Sequence, residues 1–342
     1  MTRKERVLAV LHHKQPDRVP KGEIWIDGNL ANRLMGTNYP TDYQHFERDK
    51  ELRTFLNMDL VNVGDWPDKE IGKDANGYTV YRSNYGHEFI QGTSKHIVKP
   101  AIEDIEDAKY YQKPDIKNVS AELIKRYAKE TDFFVFAQIG GPVSMLNEMF
   151  PMEDYMVYCL TNTKEIGLIA EKVMAYEIEK AKLFIDAGCD AIFFADDIAF
   201  NAGVFLPPHI MSEIAYPFYK QAVEEIKKYK DVPIVFHSDG NLNAVMDEIV
   251  ASGFDGIQSL QPSAGMDIKN IKEKYGDKLC LWGNIDLDYI MSFAKPEEVR
   301  RKVRETIDIA NIEGGFILST CNAMIDSIPS ENVIAMMQEA ER

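Results

Sequence analysis

Pro233-Ile-Val-Phe-His-Ser-Asp239 is a short apolar, β-branched run that closes on polar side chains, and eight runs of this kind recur along the chain. The others are Val19 to Ile26, Asp59 to Gly64, Phe133 to Gly140, Ala191 to Asp196, Gly256 to Gln261, Lys278 to Ile285 and Gly315 to Cys321. Stretches long enough for a helix separate them, a rhythm that reads as repeated βα units. The expected fold is α/β, a (β/α)8 TIM barrel occupying residues 1–342 as a single domain. Chemistry in such barrels sits at the C-terminal ends of the strands, so the residues that close each run become site candidates. They are Glu23, Trp25, Asp27, Asp65, Gln138, Asp196, Asp197, His237, Asp239, Gln258, Gln261, Asn284, Asp286 and Cys321.

Outside the repeat, Val7, Leu8, Val10 and Leu11 stand at helical spacing, and Gln15-Pro16-Asp17 stops that helix before the first strand. The segment is expected to plug the bottom of the barrel. After the second strand the rhythm breaks over residues 66–132, where Asp74-Ala-Asn-Gly77 precedes the alternating run Tyr78-Thr-Val-Tyr-Arg82. A β-hairpin excursion over the barrel mouth is expected, carrying Arg82, His87 and His96 and returning through a helix near Ala121 to Glu130. Gly140-Gly141-Pro142 would let backbone amides approach a ligand closely. Long helices are expected over Thr163 to Ala187 and Ile210 to Tyr229.

A chain of 342 residues, 45% hydrophobic, has enough apolar mass for one elaborated barrel. The formal charge of -16 argues against nucleic acid as a partner, which requires clustered Lys and Arg. The basic N-terminus lacks an apolar segment and a small-residue cleavage site, and no stretch approaches the ~20 apolar residues of a membrane span. The expected location is the cytoplasm, without membrane contact. Cys159, Cys189, Cys280 and Cys321 form no CxxC pair, which fits free thiols in a reducing compartment.

His237 and Asp239 are two residues apart, so on an extended strand both side chains face the same way. Barrel curvature brings Cys321, at the end of the eighth strand, toward that pair. Histidine, carboxylate and thiolate suit a zinc ion with one open position; the alternative is a hydrogen-bonded strand histidine and a cysteine packed as a small hydrophobe. Asp196-Asp197, with Glu23 and Asp27 on the first strand, is a second cluster, in which mutual repulsion would raise one pKa into the range of a proton donor or acceptor. Adjacent strand residues face opposite ways, so at most one of that pair faces the pocket, and capping of the following turn is the competing role. Trp25, Trp66 and Trp282 are candidates for an aromatic wall or for mouth packing.

Arg3-Lys-Glu-Arg-Val-Leu, Pro16-Asp-Arg-Val-Pro20, Ala187-Gly-Cys-Asp-Ala-Ile, His237-Ser-Asp-Gly-Asn241, Gly253-Phe-Asp-Gly256 and Gly283-Asn-Ile-Asp286 resemble the uroporphyrinogen decarboxylase superfamily over nearly the whole chain. That superfamily contains cofactor-free tetrapyrrole decarboxylases and zinc-dependent methyltransferases that move methyl groups to or from a corrinoid. The decarboxylases carry arginines after the first strand, where this chain reads Glu23-Ile-Trp-Ile-Asp-Gly-Asn-Leu30. Asp65 does match their essential aspartate approximately. The methyltransferase branch, of the methylcobalamin:coenzyme M type, holds zinc with a His-x-Cys pair and a distant cysteine; His237 and Cys321 match, and Asp239 stands in for the first cysteine.

The resemblance therefore implies a corrinoid-dependent methyltransferase, with zinc on His237, Asp239 and Cys321 activating the heteroatom of a small methylated substrate or methyl acceptor. Asp196, Asp65 and Glu23 are the expected catalytic carboxylates, and Trp25, Asp27, Gln138, Gln258, Gln261, Asn284 and Trp282 the expected substrate contacts. No Asp-x-His-x-x-Gly cobalamin anchor occurs, so any corrinoid would be supplied in trans by a partner protein. A uroporphyrinogen decarboxylase-type lyase and a non-catalytic ligand-binding barrel are the alternatives, and a homodimer is plausible by resemblance.

Overall fold

The structure, a computed structural model, describes residues 1–91 and 95–341. Its strands are, in chain order, β1 (Leu60–Val63), an excursion of β2 (Lys69–Lys73), β3 (Thr79–Arg82), β4 (Glu88–Gln91) and β5 (Lys95–Lys99), then β6 (Phe134–Gly140) and β7 (Ala191–Ala195). A short hairpin of β8 (Ala199–Phe200) and β9 (Gly203–Val204) precedes β10 (Ile234–Ser238), β11 (Gly256–Ser259), β12 (Cys280–Ile285) and β13 (Phe316–Thr320). Seven of these form one parallel sheet in the order β1-β6-β7-β10-β11-β12-β13. The architecture is α/β and TIM-barrel-like.

The expected first strand, Val19 to Ile26, is not a regular strand. It makes single parallel bridges, Lys21 to Leu318 and Ile26 to Met324. Gly22 N donates to Leu318 O (3.1 Å) and Asp59 N donates to Lys21 O (2.8 Å), which places the segment between β13 and β1. The cause of its irregularity is local: Pro20 has no N–H to give to a ladder. Side chains replace the missing ladder, since Lys21 N donates to Asp59 Oδ2 (2.9 Å) and Arg53 donates to the carbonyl of Glu23 (3.0 Å).

The barrel interior is filled in layers, as this architecture requires. Phe134, Phe136, Phe193, Cys280, Trp282 and Ile317 pack against Val7, Val10 and Leu11 of the N-terminal helix Arg3–Leu11, the expected plug. Trp282 is therefore a core residue and not part of a substrate wall. It is fully buried, its ring centroid lies 4.8 Å from that of Phe136, and its indole N–H reaches past β13 to donate to Gly22 O (3.0 Å).

Two further expectations need correction. The excursion is a four-stranded antiparallel sheet, β2-β3-β4-β5, where a hairpin was expected; the returning helix is Glu122–Glu130. The helix expected over Ile210 to Tyr229 is two helices, Pro208–Ile214 and Tyr216–Tyr229, because Pro217 cannot donate an N–H into a continuous helix. The helix Thr163–Ala187 is as expected, and Gly188 ends it at φ 103°. Among the described residues, no helix is long and apolar enough to cross a membrane, and the four cysteines are free and buried.

At the barrel bottom the fully buried carboxylate of Asp59 receives Arg6 (2.7 Å), Arg18 (2.7 Å) and the Lys21 amide. Asp59→Ala leaves the Lys21 amide without its side-chain acceptor and takes the buried counter-charge from Arg6 and Arg18, which keep their bonds to Asp17 and the Val19 carbonyl, so it is expected to destabilise the fold by about 3 kcal/mol. Chemical denaturation measures this, and a loss below about 1 kcal/mol would refute the role given to Asp59 in closing the barrel.

Candidate functional site

Strand alternation decides which polar groups reach the barrel mouth. Phe134 and Phe136 lead to Gln138, Phe193 leads to Ala195 and Asp197, and Val235 leads to His237 and Asp239. A cavity of about 250 Å³ opens there, lined among others by Ile24, Trp66, Gln138, Phe193, Asp197 and His237. On its other side stand Asp68, Ser83, Tyr85, His87 and Lys95 from the excursion, and Glu148 from the helix Pro142–Met149.

Asp197, His237 and Asp239 form a compact donor group in which one ligand atom from each lies within 4.8 Å of the others. Nδ1 of His237 donates to Gln258 Oε1, the neighbour across β10 and β11. The ring also stacks on Phe193, with centroids 5.3 Å apart. Nε2 is thereby held toward Asp197 Oδ1 at 3.6 Å. That separation is too long for a hydrogen bond, and close to the roughly 3.4 Å between two donors sharing one ion at a tetrahedral angle.

Asp239 is braced as firmly. Its Oδ1 accepts the Ser259 hydroxyl (2.8 Å), its Oδ2 accepts the Asn322 amide, and its own N–H donates to Asp197 Oδ1 (3.0 Å). Ser259 and Leu260 hold positive φ of 100° and 54°, a strained backbone of the kind that gathers at functional sites. Burial, with the Asp197 carboxylate nearby, raises the Asp239 carboxyl above its usual range despite the opposing pull of His237.

Cys321 does not join this group. Its backbone N–H pairs with Ile285 O (3.0 Å), and its thiol lies beside the Leu287 backbone; burial pushes that thiol up to about 12. Asp197 takes the place that the sequence reading assigned to the cysteine.

Asp196 points the other way, outside the cavity wall. Its carboxylate accepts the amides of Ser144 (2.6 Å) and Val143 (3.2 Å) and the Tyr219 hydroxyl (2.6 Å). The amides freed by Gly140-Gly141-Pro142 thus bind the protein's own carboxylate in place of a ligand. A Cβ on Gly141 would lie 2.3 Å from the Asp196 side chain, so only glycine fits. Burial pushes the Asp196 carboxyl up to about 7 against those three donors.

Glu23 is also fully buried and is used by β13: it accepts the Thr320 N–H (3.0 Å) and hydroxyl (2.5 Å). Burial pushes it up to about 7. Asp27 caps the helix Gly28–Met35 through the amides of Asn29 and Leu30. Asp65 accepts the Ser120 amide (2.8 Å) and is not among the cavity-lining groups. Gln261 holds Gly240 N (3.0 Å) and Asn284 holds Leu260 O (3.0 Å), so both brace loops. Gln138 does line the cavity, accepting from Asn62 (2.7 Å). Trp25 reaches the cavity at second hand, through Tyr43 at 5.5 Å, which contacts Trp66 at 5.6 Å.

Residues 83–342 match the uroporphyrinogen decarboxylase (URO-D) family. The chain belongs to that family. Among its URO-D relatives, the methylcobamide:CoM methyltransferase MtaA of Methanosarcina barkeri is 23% identical over 358 aligned positions, 98% of this chain and 96% of the relative. The uroporphyrinogen decarboxylase of Chlorobium luteolum is 29% identical over 209 positions, 60% of this chain and 55% of the relative. A solved methyltransferase from Methanosarcina mazei has the same fold, with a TM-score of 0.79 at 18% identity over 100% of this chain and 98% of that one.

Glu23 and Asp196 hold their protons more tightly in the folded than in the unfolded chain. Each one's contribution to stability is full below the ordinary carboxylate range, about pH 4, and declines as pH rises to about 7. Glu23→Gln, which mimics the protonated carboxyl, is expected to flatten the fall in melting temperature across that window. Parallel profiles for wild type and variant from pH 4 to 8 would contradict a raised pKa at Glu23.

Proposed function

We propose that this chain is a corrinoid-coupled methyltransferase that moves a methyl group between a small O-, S- or N-methyl compound and a corrinoid protein supplied in trans. The observation that carries the reading is near end-to-end similarity to a methylcobamide:CoM methyltransferase, at 98% of this chain and 96% of the relative. A donor group at the C-terminal strand ends, with Asp197 and His237 on the cavity wall, gives that similarity a chemical site. Decarboxylase relatives match over a shorter span, and Asp65 is engaged with Ser120 away from the cavity lining.

One imidazole and two carboxylates fit a divalent cation, and zinc is the metal we assign to Asp197, His237 and Asp239. Bound there, zinc supplies a Lewis acid for the heteroatom that carries or accepts the methyl group. The protein's own part is orientation. Gln258 fixes the tautomer and direction of His237, while Ser259 and Asn322 fix Asp239, so the donors are held before anything binds. The excursion roofs the cavity and limits water around the reacting centre. Glu23 and Asp196 act on this geometry indirectly, by holding the ends of β13 and β7.

Elemental analysis of purified protein is expected to find about one zinc per chain. His237→Ala and Asp197→Ala should lose it, and Gln258→Leu should weaken it about 10- to 100-fold. Cys321→Ala should keep it. Methyl transfer should require both zinc and a reduced or methylated corrinoid protein. A folded wild type that neither retains nor takes up zinc sinks the metal-assisted mechanism, and loss of zinc from Cys321→Ala but not from Asp197→Ala would return the thiol to the ligand set.

A further inference from the structure

The excursion folds the turn Ser83-Asn84-Tyr85-Gly86-His87, between β3 and β4, into the barrel mouth opposite the donor group. Ser83 N donates to His87 O (2.8 Å), closing the turn. Tyr85 donates to Glu177 and Asn84 to Tyr176 (2.7 Å), both on the helix Thr163–Ala187, which pins the turn to the barrel. Ser83, Tyr85 and His87 all line the cavity.

Three polar atoms of this turn lack a hydrogen-bond partner among the described residues although their side chains are buried: Ser83 Oγ and both ring nitrogens of His87, in residues 6% and 1% exposed. Buried polar groups are normally satisfied, so a missing partner at a cavity wall points to a ligand atom. The charges set its chemistry. His87 Nε2 makes no aligned hydrogen bond, but it lies 3.3 Å from Glu148 Oε2, where a carboxylate attracts the ring proton and repels a lone pair, so the proton belongs on that side and Nδ1 offers the lone pair. The Lys95 ammonium is engaged by Glu148 at 2.7 Å. Asp68, on the same wall, has no ion pair within 4 Å among the described residues. The wall therefore presents acceptors and a carboxylate that has the Asn84 amide but no ion pair, while its one ammonium is already neutralised.

We propose that the 83–87 turn is a specificity subsite that takes the far end of the substrate, and that the substrate is an uncharged methyl compound bearing a hydroxyl or N–H there. A sulfonate or carboxylate at that end brings only acceptors, and meets Asp68 and Glu148. The assignment rests on the methyltransferase reading for which end of the ligand reacts; its binding preference stands without it.

Binding of three probes to the full-length, zinc-loaded protein by isothermal titration calorimetry tests this. They are 3-methoxyphenol, the near-isosteric anion 3-methoxybenzoate, and 1,3-dimethoxybenzene, which lacks the donor. The phenol is expected to bind at least tenfold more tightly than either of the others, a margin in line with one buried hydrogen bond. His87→Phe should erase its advantage over dimethoxybenzene, and Ser83→Ala should reduce it, with melting curves confirming that both variants are folded. Equal or tighter binding of the benzoate overturns the proposal, as does failure of all three probes to bind at millimolar concentration. Selective phenol binding without corrinoid-coupled turnover would instead count against the methyltransferase reading and leave the subsite standing.

Discussion

The barrel closes on one buried carboxylate. Asp59 opens the run into β1, yet its side chain gathers Arg6 from the N-terminal helix, Arg18 from the following turn and the Lys21 amide from the irregular first segment. Those three tie the plug, the segment between β13 and β1, and the sheet itself to one point. A buried charge is tolerable only when it is fully paired, and here the pairing partners are the elements that have no regular ladder of their own. Every inward-facing position on the strands, and so the height at which polar groups emerge at the mouth, depends on that closure.

Above it the strands sort side chains by parity. Asp196 and Asp197 are neighbours in sequence with opposite fates: one stitches β7 to the helix Pro142–Met149 and to Tyr219, and the other meets His237 and Asp239. The same division runs through the other expected site residues. Gln258 and Gln138 face in, whereas Asp27, Asp65, Gln261 and Asn284 spend their polar atoms on caps and loop carbonyls or amides.

Much of this was legible beforehand, in a pattern that physics explains. Seven of the eight strands follow from apolar runs, and His237 with Asp239 follows from spacing of two. The choice between Asp196 and Asp197 was not legible, because Ala191-Ile-Phe-Phe-Ala195 is apolar on both faces and gives no sign of which side is the interior. Cys321 misled for a related reason: its place at a strand end was right, and its thiol turns toward Leu287. Trp282 is expected at a strand end, whereas it lies inside β12, and its hydrogen bond to Gly22 reaches past β13, a contact that spacing does not encode. Ser83 and His87 lay in a segment whose four-stranded pairing was underestimated as a hairpin.

The two walls of the cavity come from distant parts of the chain. The donor wall is carried by β7, β10 and their neighbours, and the roof by a sheet inserted between β1 and β6. The roof rests on the barrel through side chains such as Tyr85 on Glu177, and among the described residues it shares no ladder with the parallel sheet. Substitutions in the roof can thus change what is admitted without moving the groups that act on it. In evolutionary terms the insertion is a separable module: a lineage can rewrite one wall of the cavity, in the residues of β2 to β5, at little cost to the scaffold that carries the other.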